Sequence, residues 1–479
     1  MKLSKALLVL ALVVAFAVPA YAETQNVKVS GSIDMYHFYR QTLDLNNDND
    51  SGAFPPGGDI HPDHGSSASH RSEGDDYFMT ITQIEVAADL TDNVSTVINL
   101  INQRDWNAGY DDFSHDPSDG EEFDIGVDLA YVQMKEIFYS PLTLTIGRQD
   151  LLFGRGFIIG WNPQDYGGNI QADEWTQIQS FDAIRATLDF NPWTLDFVYS
   201  KIDENAHDPE DDKDLYIVNV NYKFSEYNAV AEAYYVGEMD RASLAGTGAD
   251  DGTHGNDTNT IGGRVQFDPI SQITLGAELA YQFGTYASAT DATQRDREAW
   301  AFDIFGEYRW DYEWKPMIGI EYVHLSGEEN LSSTTTEEYS SWNGAYRGPI
   351  YGWYQDYREV YYGTQFTGDQ VAGQNIQHVN VYGSLQPLED LKLTASWFKF
   401  WADETQHRSI TDPTSPTLSD DIGWELDTAI IYNYTEDVTF AFYANWFVPG
   451  DTFEGPNDDD DHVGDDTASE YISRVTVTF

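Results

Sequence analysis

The last ten residues constrain this chain more than any other stretch. Glu470 to Phe479 reads Glu-Tyr-Ile-Ser-Arg-Val-Thr-Val-Thr-Phe and stops on an aromatic residue. Phe479, Val477, Val475 and Tyr471 share one face, broken only by Ser473, while Thr478, Thr476 and Arg474 share the other, which is the period-two pattern of a strand. One face suits hydrocarbon and the other suits water. A final aromatic residue on such a segment is characteristic of bacterial outer-membrane barrels, whose last strand pairs with the first so that no backbone edge is left in the bilayer. A soluble sandwich ending on the same pattern is the competing reading.

The other end points the same way. Lys2 and Lys5 precede an apolar run from Ala6 to Val18, followed by Pro-Ala-Tyr-Ala before Glu23. Residues 1–22 therefore read as a cleaved signal peptide, with Glu23 as the expected mature amino terminus. The run is shorter than the roughly 18 apolar residues of a spanning helix. Losing Lys2 and Lys5 moves the formal charge from -56 to -58, and the absence of cysteine excludes disulfides and thiolate metal sites. Such acidity is also found in disordered chains, but 31 Tyr and 13 Trp argue against disorder. Aromatic residues concentrate where a barrel wall meets its two water interfaces, and alternating strands keep the mean hydropathy unremarkable.

Along the chain, Val27, Val29, Ile33 and Met35 alternate with Lys28, Ser30 and Asp34, giving a first strand over Val27 to Arg40. Short turns are predicted at Thr91–Asn93, Glu136–Pro141, Asp189–Trp193, Ser225–Tyr227, Asp268–Gln272, Asp311–Glu313, Pro387–Asp390 and Thr435–Asp437. Eight turns joining strand pairs, with nine long outer loops between and after them, give an all-β fold. It is a transmembrane antiparallel β-barrel of eighteen strands over residues 23–479, closed by the strand ending in Phe479. Sixteen strands is the alternative count, because Val94 to Asp105 fits neither parity cleanly. Asn457 to Asp461 with Asp465 and Asp466 could be a calcium site, but they lack the spacing of a dedicated calcium loop. Asp59, His61, Asp63, His64 and His70 could take zinc or nickel, but a solvated loop explains both clusters. No metal or cofactor is expected.

Thr145-Ile146-Gly147-Arg148-Gln149-Asp150-Leu151-Leu152-Phe153-Gly154 leads through Gly160-Trp161-Asn162 to Ser180-Phe181-Asp182-Ala183-Ile184-Arg185. This stretch resembles the alginate-export family of outer-membrane barrels. The resemblance recurs in Ala345-Tyr346-Arg347-Gly348, in Asp421 to Asp427 and in Trp446 to Phe453. It implies an eighteen-stranded monomeric barrel and a passive porin-like conduit in the cell outer membrane, with an archetype that secretes a polyuronate through an arginine-rich lumen.

Strand parity places Arg185, Lys223, Arg264, Arg309 and Arg474 on inward faces, with Arg148 and Arg155 at the mouth. Arg148 shares the lipid-facing parity of Leu144 and Ile146, so a bulge at Gly147 is needed to turn it inward. The inward faces also carry Glu85, Glu232, Glu278 and Asp303, then Glu307, Glu321, Glu425 and Asp427. A lining of both signs behind acidic loops favours cations or neutral solutes over a polyuronate. The third outer loop, Asp150 to Gln179, carries Phe157, Ile158, Ile159, Trp161 and Trp175, and is expected to fold inward and narrow the barrel.

The reading is thus a non-enzymatic channel for passive passage of hydrophilic solutes or polysaccharide, in contact with outer-membrane lipid and lipopolysaccharide. The alternatives are a non-conducting adhesin or docking protein with acidic loops, and an outer-membrane hydrolase. His324 and His378 are the histidines on strands that a hydrolase would use, and neither has a serine or carboxylate partner evident in the sequence.

Overall fold

The computed structural model describes residues 26–42, 76–106, 125–162, 177–204, 212–240, 256–288, 291–328, 338–344, 346, 375–405, 417, 419–453 and 466–479. The expected signal peptide, the His and Asp cluster of the first loop and the acidic run Asn457 to Asp461 with Asp465 lie outside these residues.

The alternating segments become one sheet. Its strands are β1 (Asn26–Gln41), β2 (Asp76–Thr91), β3 (Val94–Asp105), β4 (Gly126–Met134), β5 (Leu142–Gln149), β6 (Phe181–Asp189), β7 (Trp193–Asp203), β8 (Lys213–Lys223) and β9 (Val230–Asp240). These continue with β10 (Asn256–Ile270), β11 (Ile273–Ser288), β12 (Asp291–Arg309), β13 (Met317–Leu325), a two-residue β14 (Glu338–Tyr339), β15 (Ile376–Leu388), β16 (Leu391–Trp401), β17 (Asp421–Asn433), β18 (Val438–Pro449) and β19 (Ala468–Thr478). Eighteen of them pair antiparallel with their chain neighbours, β13 joining β15 directly. β14 pairs parallel with β12 at Asp296 and Arg297, past the end of the β12–β13 ladder, and is not one of the eighteen.

Closure is made by the segment that first suggested it. β19 pairs with β1 from Ser32 opposite Thr478 to Gln41 opposite Ser469. Beyond the ladder, Gly31 and Phe479 exchange backbone hydrogen bonds of 2.9 and 3.0 Å. Gly31 is required there, because a Cβ would lie 2.7 Å from the Phe479 ring and 2.5 Å from the Gln83 carbonyl oxygen. A ring of strands leaves no unpaired edge, which is the condition for crossing hydrocarbon with strands. Ile261, Leu279, Trp300, Ile304 and Ile320 are among the exposed apolar residues of the outer face.

All eight short turns fall at one end, where the sequence places them. The long connections fall at the other. The sixth of these differs from expectation, because β11 and β12 stay paired as far as Ser288 opposite Asp291, so the ladder itself carries the excursion.

The inner wall departs from simple alternation. Phe38, Met79, Ile81, Leu215, Ile217, Val323, Leu325, Phe398 and Phe400 lie in inward rows near the loop end, and all are buried. An inner wall is apolar only where protein covers it, and here inserted loops do so. β3 shows why its parity was hard to read: Ile98 and Leu100 face out while Ile101 faces in, and the β3 to β4 register shifts at Asn99 and Leu100.

Candidate functional site

The third connection leaves β5 at Gln149 and turns into the barrel. Gly154 has φ +60, and a Cβ there would sit 3.1 Å from both Arg264 Cδ and Glu232 Oε2, so glycine lets the backbone lie against the wall. Arg155 then reaches Asp303 on β12 at 2.8 Å and Glu321 on β13 at 2.7 Å. Its guanidinium lies 4.0 Å from the centre of the Phe305 ring. The two acceptors are 1% and 2% exposed, so this is a buried anchor rather than a surface pair. Burial works against the charged form, but Glu321 and Asp303 outweigh it and hold the Arg155 guanidinium above its ordinary pKa. Phe157 and Ile159 are each 1% exposed, against the wall and the other inserted residues. The expectation that this loop folds inward matches its described residues; Trp175 lies outside them.

Each candidate arginine on an inward row has a carboxylate at ion-pair distance. Arg264 stands 3.6 Å from Glu232, which also accepts from Asn221 at 2.6 Å. Glu278, opposite Arg264 in the ladder, accepts from the Tyr234 hydroxyl at 2.8 Å. Arg185 pairs with Asp196 at 2.8 Å, and Arg474 pairs with Asp34 at 2.6 Å. Arg309 pairs with Glu307, which accepts from Tyr382 at 2.9 Å. Glu85 lies opposite Ser30 and Asn99, and Lys223 is exposed at the short-turn end opposite Val230. Glu425 and Asp427 are buried on β17, facing Phe447 and Asn445 in the β18 ladder.

Arg148 is a correction. Gly147 does take φ +119, but the residue that turns inward after it is Gln149, not Arg148. Arg148 stays in the outward row of Ile146 and pairs at 3.1 Å with Asp182, whose side chain is 61% exposed. The positive φ fits the backbone around the Ala130 carbonyl, where a Cβ would lie at 2.2 Å, without changing the parity of the next side chain. At the loop end of the wall this charge sits near an interface, where the roughly 2–4 kcal/mol midplane penalty for an outward arginine falls towards zero.

Asp34 and Asp196 were not among the candidates, although each is the acceptor of one. Asp34 shares the alternating row of Lys28 and Ser30, so parity alone could have found it. Arg40 and Glu470 form a further buried pair at 2.7 Å, and Arg295 and Glu328 another at 3.0 Å. Arg40 and Glu470 lie on β1 and β19, and Arg295 of β12 meets Glu328 of the connection after β13, so no local signal joins either pair. His324 also acquires a partner that the sequence hides, Asp403 at 3.6 Å, while Trp300 stacks on its ring at 4.2 Å. His378 is fully buried between the Phe398 and Phe400 rings.

Comparison with known proteins agrees with this geometry. The family model described as alginate export matches residues 65–463. Three solved barrels from Pseudomonas aeruginosa are similar in fold. OpdK with vanillate has TM-score 0.51 and 10% identity, over 95% of this chain and 99% of that one. OccK2 (OpdF) in complex with glucuronate has 0.51 and 10%, over 95% and 98%. OpdQ has 0.52 and 11%, over 95% and 98%. Among curated protein sequences none matches significantly. The fold and the family are those of outer-membrane channels for solute passage, which places the protein in the cell outer membrane. By the match across most of its length, the chain belongs to the alginate export family.

Proposed function

We propose that the channel passes small hydrophilic solutes that are neutral or weakly cationic, rather than a polyuronate. The observation that carries this is the pairing of the lumen arginines. Arg155, Arg185, Arg264, Arg309 and Arg474 each lie beside at least one carboxylate, and Arg155 beside two. A polyanion conduit needs cationic groups free to take the passing carboxylates, and these are already engaged by the wall. Two of the similar barrels were solved with vanillate and with glucuronate, both carboxylates. In this chain a carboxylate solute would have to displace Asp34, Asp196 or Glu232 from its arginine. Glu85 adds a further carboxylate to the inward rows.

One chain closes its own sheet, so a monomer suffices, with the apolar outer face against lipid and lipopolysaccharide. The short turns face the periplasm, as in other barrels of this kind. Chemistry on a substrate is not part of this reading, because the family and the fold are those of channels.

The test is the reversal potential of the purified protein in a planar bilayer under a salt gradient. Near neutrality or a weak cation preference is expected, growing as ionic strength falls, since fields decay over about 8 Å at physiological salt. Clear anion selectivity that is lost on replacing Arg185 and Arg264 would overturn the proposal.

A further inference from the structure

The carboxylates of one side of the barrel lack the pairing seen elsewhere. Asp34, Asp196, Glu232, Asp303 and Glu321 each hold an arginine. Glu85 of β2, Asp128 of β4 and Asp150, just past β5, make no ion pair with a described residue. The cations of this side are placed elsewhere. Lys28 stands opposite Ala87, and Arg104 shares the outward row of Ile98 and Leu100. Arg148 keeps its outward row, where its Nε donates to the Asp128 backbone carbonyl at 3.1 Å and its guanidinium pairs with Asp182.

A bulge sets the direction of Asp128. β3 pairs Asn99 with Leu129 and Leu100 with Val127, so Asp128 is the extra residue and faces no residue of β3. An extra residue of this kind re-aims a side chain. Val127 is exposed on the outer face, whereas Asp128 is 6% and Asn99 8% exposed. The Oδ1 atoms of both are buried with no hydrogen-bond partner, and so is the hydroxyl of Ser180, which stands beside Asp128. Glu85 lies opposite Asn99 in the β2 to β3 ladder, and Asp150 is close enough to act on Asp128 electrostatically.

An acceptor left unpaired in a wall costs about 1–3 kcal/mol, and more when it is charged. Here a carboxylate oxygen and an amide oxygen at one bulge both lack a donor that the chain does not supply. A cation satisfies both at once. An all-oxygen set suits a hard cation such as potassium or calcium. Among the described residues no three acidic or histidine side chains converge as a metal cage. The ion is therefore held loosely enough to leave again, as conduction requires.

We propose that Asp128, Asn99 and Ser180 form a cation-binding station in the inner wall near the loop end, with Glu85 and Asp150 drawing cations towards it. The proposal rests on the channel reading and names the residues that carry its cation preference.

Potassium chloride in a planar bilayer is the first probe and calcium chloride the second. Asp128→Asn is nearly isosteric and removes an uncompensated buried charge, so its folded, heat-modifiable fraction is expected to equal or exceed that of the unmodified protein. In a potassium chloride gradient at low salt, the potassium to chloride permeability ratio is expected to fall about twofold in Asp128→Asn, and further when Glu85→Gln and Asp150→Asn are added. Calcium at roughly millimolar concentration is expected to reduce the potassium current of the unmodified protein by occupying the station, and to lose most of that effect in Asp128→Asn. An unchanged permeability ratio and unchanged calcium effect in Asp128→Asn, with the unmodified protein neutral or cation-preferring, overturn the station and leave the channel reading intact. A collapse of the folded fraction in Asp128→Asn assigns the carboxylate a structural role and also overturns the station. Anion preference of the unmodified protein overturns the reading and the station with it.

Discussion

Replacing Arg155 with methionine is expected to free the third connection and raise both the mean conductance and its noise several-fold in single-channel recordings. The side chain bridges Asp303 and Glu321, which are almost fully buried. Removing the cation leaves two carboxylates in a low-dielectric pocket with no counter-charge. Breaking a buried pair in this way costs about 3–5 kcal/mol, more than removing the whole set, because the stranded charge is the larger penalty. The chain can relieve it by letting the loop leave the wall so that water reaches both carboxylates. A compensated variant separates this cause from a simple change in pore width. With Asp303→Asn and Glu321→Gln added to Arg155→Met, no charge is stranded, and conductance is expected to return most of the way to its original level. If the single and triple variants conduct alike, the ion pair does not hold the loop.

Reversing one charge at the closing seam is expected to prevent the barrel from forming. Arg40 of β1 pairs with Glu470 of β19 at 2.7 Å, with both side chains 3% exposed or less, and Arg474 of β19 reaches back to Asp34 of β1 at 2.6 Å. The two pairs run in opposite senses across the same ladder. Parity forbids a one-residue slip of β19, because every side chain would change faces. A two-residue slip keeps parity, and charge is what opposes it: Arg40 would then face Ala468 or Ile472 instead of Glu470. Glu470→Arg places two guanidinium groups opposite each other where neither is solvated, and roughly 3–5 kcal/mol is again the scale of the loss. The fraction of protein showing folded, heat-modifiable migration after refolding into detergent is the measurement. It is expected to fall to a small residue in Glu470→Arg and to recover when Arg40→Glu is added. A normal folded fraction in the single variant would show that backbone pairing alone closes the seam.

These predictions lie at different depths in the sequence. The wall was legible because it is local. Val27 to Met35, Tyr216 to Phe224 and Trp300 to Trp310 each announce their outward face within a few residues, since adjacent side chains of a strand point to opposite sides whatever the rest of the chain does. The turns were legible for the same reason, and counting them yields the eighteen strands that pair in the wall. Parity also picked out Arg185, Arg264, Arg309 and Arg474, although it named few of their partners.

Arg148 marks where local reading stops. Its own parity pointed outward and was right. The inward turn it was expected to make after Gly147 was taken instead by Gln149, whose amide donates to the Gly147 and Ala183 carbonyls at 3.1 and 3.0 Å. The apolar inner rows at Phe38, Met79, Leu215 and Phe400 look like errors of alternation until Ile178, Ile159, Phe157 and Trp342 are seen to cover the inside of the wall.

By itself the sequence determined the class of fold, the strand count and the closing strand, because each follows from a period of two and from turn chemistry. Only the tertiary structure decided which carboxylate neutralises which arginine and where the third and seventh connections meet. Those contacts join residues far apart in the chain, Arg155 to Asp303 and Gly160 to Tyr346 among them. No pattern within either segment encodes a distance that exists only after the sheet has closed.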